Sequence, residues 1–150
     1  MLLLKPDDRL TANYKLKEFL VSDRNPDLAG ELYKTVAPRI ENLFMLCHLI
    51  LQPVSDKFKV SIHISSGYRD QRLNAATKGS SPTSSHRKGK AADIFTDNKD
   101  LLPDIFAFIR DQLRGLYFEL FLYLDEKGNP DFIHVSTATH NRPERVRIVD

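Results

Sequence analysis

The sequence predicts an α+β fold, with helices packed on one side of a small, mainly antiparallel sheet. Three observations carry this expectation. Between residues 40 and 54, apolar side chains recur at three- and four-residue spacing, the mark of a helix with one buried face. Val60, Ile62 and Ile64 alternate with Ser61, His63 and Ser65, the mark of a strand with one buried face. Residues 117–124 and 132–137 are two β-rich runs joined by the polar turn 125–130, which reads as a hairpin.

Residues 1–26 read as irregular, with one helical turn around residues 15–20. Asn25-Pro26 opens a helical region, and Pro38 suits the first turn of the longer helix, because proline there loses no needed N–H. Ile40, Leu43, Phe44, Cys47, Ile50, Leu51 and Val54 form the apolar face of that helix. Gly67 ends the following strand, and Asp70 is placed to cap a short helix to about Thr77. Residues 78–90 are rich in Gly, Ser, Thr and Pro, so they form a loop that carries His86 near its end. Residues 91–95 are small and apolar apart from Asp93, consistent with a buried strand. Asp97 or Asn98 caps the next helix, to about Arg114, with Leu102, Ile105, Phe106, Ile109 and Leu113 inward. Residues 146–149 are a candidate edge strand.

A chain of 150 residues suffices for one core, and neither repeat nor linker interrupts it, so residues 1–150 are expected to form a single domain. Hydrophobic residues at 41% and charged residues at 28% are those of an ordinary globule. The formal charge of +2 is too small an excess to point to nucleic acid. Cys47 is the single cysteine, which excludes an internal disulfide, and its place in the apolar pattern makes it a core thiol. No run approaches the roughly 20 apolar residues of a membrane span. The opening Leu2-Leu3-Leu4 gives way to charge too soon for a signal-peptide core, so synthesis in the cytoplasm without a signal peptide is expected.

The chemistry concentrates in two segments. Asp93 interrupts an apolar strand, where a carboxylate costs several kcal/mol unless it is paired. A salt bridge to Arg69 or a lysine, a helix cap, or a metal ion would each meet that need. Two histidines, His86 and His134, could complete a three-ligand zinc site with Asp93, leaving an open position for water. Asp131, three residues ahead of His134, is the candidate general base. Arg69, at a strand end, is the candidate group to steady a developing oxyanion. His63 falls on the polar phase of its strand, His48 on a helix flank and His140 in the polar tail, where solvent or a plain hydrogen bond accounts for each. Glu119 and Asp125 flank the hairpin and have no spacing argument behind them.

The run Ser84-x-His86-x-x-Gly89-x-Ala91-x-Asp93 resembles the S-x-H-x-x-G-x-A-x-D signature of the D-alanyl-D-alanine metallopeptidases, zinc carboxypeptidases and peptidoglycan endopeptidases that share a fold with the hedgehog signalling domain. Ser66-Gly67-Tyr68-Arg69 resembles that family's upstream S-G-Y-R, Leu73-Asn74-Ala75-Ala76 the helix after it, and residues 132–136 its W-V-H-V-S strand. Residues 14–19 are loosely similar to its F-x-L-x-E-F opening. The likeness spans about residues 60–136, with the motifs in family order.

The resemblance implies His86, Asp93 and His134 as ligands of one Zn2+, Asp131 as general base, Arg69 as carbonyl contact and Ser84 as a substrate-side hydrogen-bonder. It implies a zinc peptidase acting on peptidoglycan or muropeptides next to a D-amino acid, as carboxypeptidase or endopeptidase, and expected to be a monomer. A catalytically inactive cell-wall or metal-binding module of the same fold is the alternative. Phe132 stands where the family often has tryptophan, and Asp131 where its carboxypeptidases have glutamate. The shorter base is similar to that of the phage-type endopeptidases that cut L-alanyl-D-glutamate bonds, which leans the substrate that way. A small wall hydrolase made without a signal peptide suits a phage- or prophage-encoded lysis enzyme, and equally one of cell-wall recycling. The basic cluster of Arg87, Lys88 and Lys90 is either a solvated loop or an attraction for stem-peptide carboxylates.

Overall fold

The computed structural model describes residues 4–139 and 142–150. His140 and the first two of the opening leucines therefore lie outside the described residues. Seven strands and five α-helices follow in the order β1 (Arg9–Thr11), β2 (Tyr14–Lys15), α1 (Pro26–Ala29), α2 (Ile40–Leu46), α3 (Gln52–Phe58), β3 (His63–Ser66), α4 (Gln71–Ala76), β4 (Ala91–Phe95), α5 (Leu102–Gln112), β5 (Tyr117–Leu124), β6 (Pro130–Thr137) and β7 (Arg145–Val149). β1 and β2 form a small antiparallel pair. The main sheet has the order β3-β4-β6-β5-β7, antiparallel throughout except for the edge pair β5–β7. The α+β expectation, with a mainly antiparallel sheet, holds.

The sheet is two-faced because its side chains alternate. Ala92, Ile94, Leu120, Leu122, Ile133 and Val135 are buried against the helices. α5 packs on β5 and β6, and α2 also reaches β6, so the helical layer lies on this face. Asp93, Phe95, Glu119, Phe121, Tyr123, Phe132 and His134 occupy the alternate phase and are only partly covered. The hydrophobic face thus fixes which side chains are left for chemistry.

The helix expected from residue 40 onward is continuous but not uniform: a π-turn at Cys47–Leu51 joins α2 to α3. Leu43, Leu46, Cys47, Ile50, Leu51 and Val54 are fully buried, with the Cys47 thiol pushed well above its ordinary pKa by that burial. Phe44 departs from the expected inner face. It is 43% exposed and stacks on His48, 5.7 Å away, at the flank of the helix. Pro38 sits in a 3-10 turn, Ala37–Arg39, that leads into α2. Asp70 caps α4 by accepting from the Leu73 N–H at 2.9 Å, and Asn98 caps the 3-10 turn ahead of α5.

Two expectations need correction. The first 26 residues are not irregular throughout, since β1 and β2 pair there. The strand read from Val60 begins only at His63, and Val60 is 39% exposed. The helical turn expected around residues 15–20 is present as a 3-10 turn at Leu16–Phe19. The candidate edge strand of the tail is present as β7 at the sheet edge, and it pairs in parallel with β5, which no local pattern encodes.

One close approach anchors the strand-to-helix turn that precedes the loop. Tyr68 N–H donates to the Phe19 carbonyl at 2.8 Å, bringing the two backbones together at Gly67. A Cβ on Gly67 would lie 2.6 Å from that carbonyl oxygen and 2.7 Å from Phe19 Cα, both rigid backbone. Gly67→Ala is expected to cost about 1–3 kcal/mol through this overlap. Urea denaturation checks it, and an unchanged midpoint would show that the backbones part freely.

Candidate metal centre

β4 and β6 pair with Asp93 directly opposite His134, both on the open phase of the sheet. His86 reaches the same point from the turn before β4. There the 3-10 turn Ser85–Lys88 is capped by Ser84, whose Oγ accepts from the His86 N–H at 3.2 Å. Gly89 closes that turn at φ 69°, a left-handed conformation that glycine adopts without strain, and the chain then enters β4. The Arg69 N–H donates to the His86 carbonyl at 3.0 Å, so the S-G-Y-R segment supports the turn from below.

His86 is 2% exposed, and its Nδ1 lies 2.7 Å from the Gly67 carbonyl oxygen. A carbonyl only accepts, so Nδ1 carries the proton and Nε2 presents its lone pair. That Nε2 is buried and has no hydrogen-bond partner, although the Asp93 carboxylate stands 3.3 Å away. Asp93 Oδ1 is also 2.8 Å from His134 Nδ1, while His134 Nε2 is 3.0 Å from Glu119 Oε1. One ligand atom from each of His86, Asp93 and His134 lies within 4.8 Å of the other two. An orphaned buried nitrogen aimed at a carboxylate and a second imidazole fits a metal ion.

The electrostatics follow from burial and contact. Burial alone would raise the Asp93 pKa, but the neighbouring imidazoles hold it well below the usual carboxylate range. Burial pushes His86 down, with Asp93 opposing. For His134, desolvation is outweighed by hydrogen bonds to Asp93 and Glu119, and its pKa rises to about 9. Glu119 is likewise desolvated, yet its hydrogen bonds to His134, Ser136 and Ser85 bring it down to about 2.

The cluster lies on the wall of a cleft of about 710 Å³ that Arg69, Ser84 and Asp131 also line. Every site residue expected from the sequence therefore meets one cavity. Arg69 is buried, donating from Nη1 to Asn74 Oδ1 at 3.2 Å and from Nε towards Ser66 Oγ at 3.4 Å. Of the partners open to Asp93, the salt bridge to Arg69 or a lysine is not among those formed by the described residues; the two imidazoles compensate it. Asp131, the second residue of β6, lines the cleft 40% exposed, in an ion pair with Lys99 at 2.7 Å. His63 pairs with Asp97 at 2.8 Å, and Asp125 accepts from the Lys127 and Asn129 backbones within its own turn, so neither joins the cluster. Glu119 is the residue that spacing alone did not single out. Its signal is its position as the one acid in the alternating run 117–124, on the phase opposite the buried leucines.

A half-open antiparallel sheet carrying a His, Asp, His cluster in a cleft defines a candidate metallohydrolase. A family model described as Peptidase M15 matches residues 27–136, and the chain belongs to that family. It is accordingly a metallopeptidase, from a family of metal-dependent enzymes whose substrates are peptides. Comparison with curated proteins and with solved structures returns no match. Among the described residues no helix is long and apolar enough to cross a membrane.

Two polar contacts at the cleft should differ sharply in worth. Asn74 is buried and bridges Arg69 to the Ser81 carbonyl, which its Nδ2 reaches at 2.8 Å. Asn74→Ala leaves a buried guanidinium N–H unmet and should cost about 1–3 kcal/mol. Lys99→Ala removes an exposed ion pair and should cost under about 1 kcal/mol. Thermal or chemical denaturation of the two variants checks this, and equal losses would refute the ranking.

Proposed function

We propose that the chain is a zinc-dependent peptidase that hydrolyses peptidoglycan stem peptides next to a D-amino acid, with residues 1–150 forming one catalytic domain. In this reading His86, Asp93 and His134 hold one zinc ion, Asp131 is the general base, and Arg69 and Ser84 contact the substrate. The observation that carries it is the convergence of one ligand atom from each of three residues within 4.8 Å, together with the buried, unpartnered Nε2 of His86. Two imidazoles and a carboxylate are a donor set that zinc accepts with a position left open.

When bound, zinc supplies Lewis acidity, polarising the scissile carbonyl and easing deprotonation of water. The chain's own groups do the rest. Asp131, lining the cleft, takes a proton from the attacking water and returns it to the leaving amine. Arg69, held by Asn74, donates to the carbonyl oxygen as negative charge develops there. Ser84 lines the substrate side. The rim adds Arg24, Lys78, Arg142 and Arg145, which suits a substrate rich in carboxylates, as stem peptides are. Aspartate at position 131, in place of the glutamate of the carboxypeptidases the chain resembles, favours an L-alanyl-D-glutamate endopeptidase.

Zinc at about 100 times its dissociation constant should stabilise the protein by about 2.7 kcal/mol. That gain should vanish in His86→Ala and His134→Ala, with bound metal lost on dialysis; zinc content and melting temperature report both. A variant of either histidine that retains stoichiometric zinc would refute the ligand set.

Asp131→Asn should keep zinc and lower kcat by about 10²–10⁴-fold. Mass spectrometry of digested muropeptides reports turnover and the bond cut together, since loss of one alanine and cleavage between L-alanine and D-glutamate give different masses. Protein that sediments with cell walls yet releases no chelator-sensitive amino groups would be a binding module, and the enzyme reading would fail.

A further inference from the structure

Glu119 lines the cleft beside the cluster. β5 and β6 pair with Leu120 opposite Val135, which sets Glu119 across from Ser136 and one row away from His134. From there Oε1 accepts from three donors: His134 Nε2 at 3.0 Å, Ser136 Oγ at 3.1 Å and Ser85 Oγ at 3.2 Å. Ser136 Oγ in turn accepts from the Glu119 backbone N–H at 3.0 Å. The other oxygen, Oε2, faces Arg145 Nη1 at 3.9 Å. The side chain is 17% exposed; its donors come from β6 and the His86 turn, and β7 adds the Arg145 charge.

This arrangement suits holding a ring more than moving a proton. An oxygen already met by three donors has little capacity left for a substrate water. Asp131, by contrast, stands 40% exposed with Lys99 as its ion-pair partner. A carboxylate on one imidazole nitrogen fixes which nitrogen carries the proton, sets the ring's rotation and makes the opposite nitrogen a better donor. Because Ser85 precedes His86, the same carboxylate links both histidine-bearing segments.

We propose that Glu119 is a positioning residue of the metal centre: it holds His134 by Nε2–H so that Nδ1 is the atom offered to the metal, and through Ser85 it sets that ring against the turn carrying His86. The inference rests on the metal-centre reading above and extends it to a group outside the ligand set.

The test compares zinc dissociation constants of the parent, Glu119→Ala, Glu119→Gln and Ser85→Ala, measured by competition with a chromophoric chelator, with circular dichroism reporting the fold. Glu119→Ala should weaken zinc by about 10–100-fold. Glu119→Gln should fall between parent and Ala, because an amide oxygen still accepts the Nε2–H, and Ser85→Ala should show the smallest loss. The visible spectrum of the cobalt-loaded protein should change in Glu119→Ala and stay close to the parent's in Glu119→Gln. With metal saturating, KM should hold while kcat drops. A folded Glu119→Ala that binds zinc within about twofold of the parent overturns the proposal. So does a Glu119→Gln that binds zinc as the parent does but has lost turnover, which would make Glu119 the base. If Glu119→Ala does not fold, Glu119→Gln decides: weakened zinc supports the proposal, while parental affinity overturns it. A parent that binds no zinc defeats the metal-centre reading itself, an outcome distinct from parental binding unaltered by the variants.

Discussion

A carboxylate in the interior of a sheet is stable only where donors or a cation meet it, and Asp93 imposes that condition on everything around it. It lies in β4 between Ala92 and Ile94, both fully buried against the helical layer. Its side chain projects from the other face, where His134 sits opposite it and His86 arrives from the preceding turn. Slipping β4 by one residue would send Asp93 into the hydrophobic core and an alanine or isoleucine towards the cleft. The register of β4 on β6 is therefore fixed twice, by apolar burial on one face and by charge compensation on the other. Both requirements point to the same alignment, which keeps the two segments together.

The open face is ordered in rows by that register. One row runs Asp93, His134, Phe121, Arg147 across four strands, with Phe121 stacked 5.4 Å from the His134 ring. The next row holds Phe95, Phe132 and Tyr123, the last two stacked at 4.5 Å. These aromatic rings flank the imidazole on the side away from Glu119, so His134 is confined by packing on one side and by a hydrogen-bonded carboxylate on the other. Confinement of this kind gives a site its precision, since side chains with freedom to rotate spend most of their time misaligned.

How legible this was in the sequence depended on the range of the interaction concerned. Residues 117–124 were readable as a strand to the residue, because both the alternation and the following turn are local signals. The Asp70 cap and the burial of Cys47 were readable for the same reason. The β1–β2 pair was not, since strands of three and two residues are shorter than any periodicity can register. The π-turn at Cys47–Leu51 was equally hidden: it leaves an apolar helical pattern apolar while altering which residues point inward, and Phe44 ends on the flank. Glu119 was visible as a polar residue on a strand, but its meaning depends on β5 meeting β6 in one register and on Ser85 folding back over both. Such a contact spans 34 residues and has no signature in any window of the chain.

Asp93, Glu119 and Asp131 all line the cleft, and their surroundings differ. Asp93 is compensated by two imidazoles and sits deepest in the fold. Glu119 is met by an imidazole and two hydroxyls, which leaves its Oε1 saturated. Asp131 is tethered only by the ammonium of an exposed lysine. In the proposed reading one acid binds metal, one orients a ligand and one exchanges a proton with solvent-derived water. Identical functional groups acquire different roles when their environments differ in this way. In the proposed mechanism the proton-exchanging role falls to Asp131, the carboxylate whose partner is most easily displaced. Lys99 is a flexible ammonium half in solvent, and an arriving peptide can draw it away at little cost. The imidazoles on Asp93 and the His134 contact to Glu119 are instead held by a register that the hydrophobic face keeps in place.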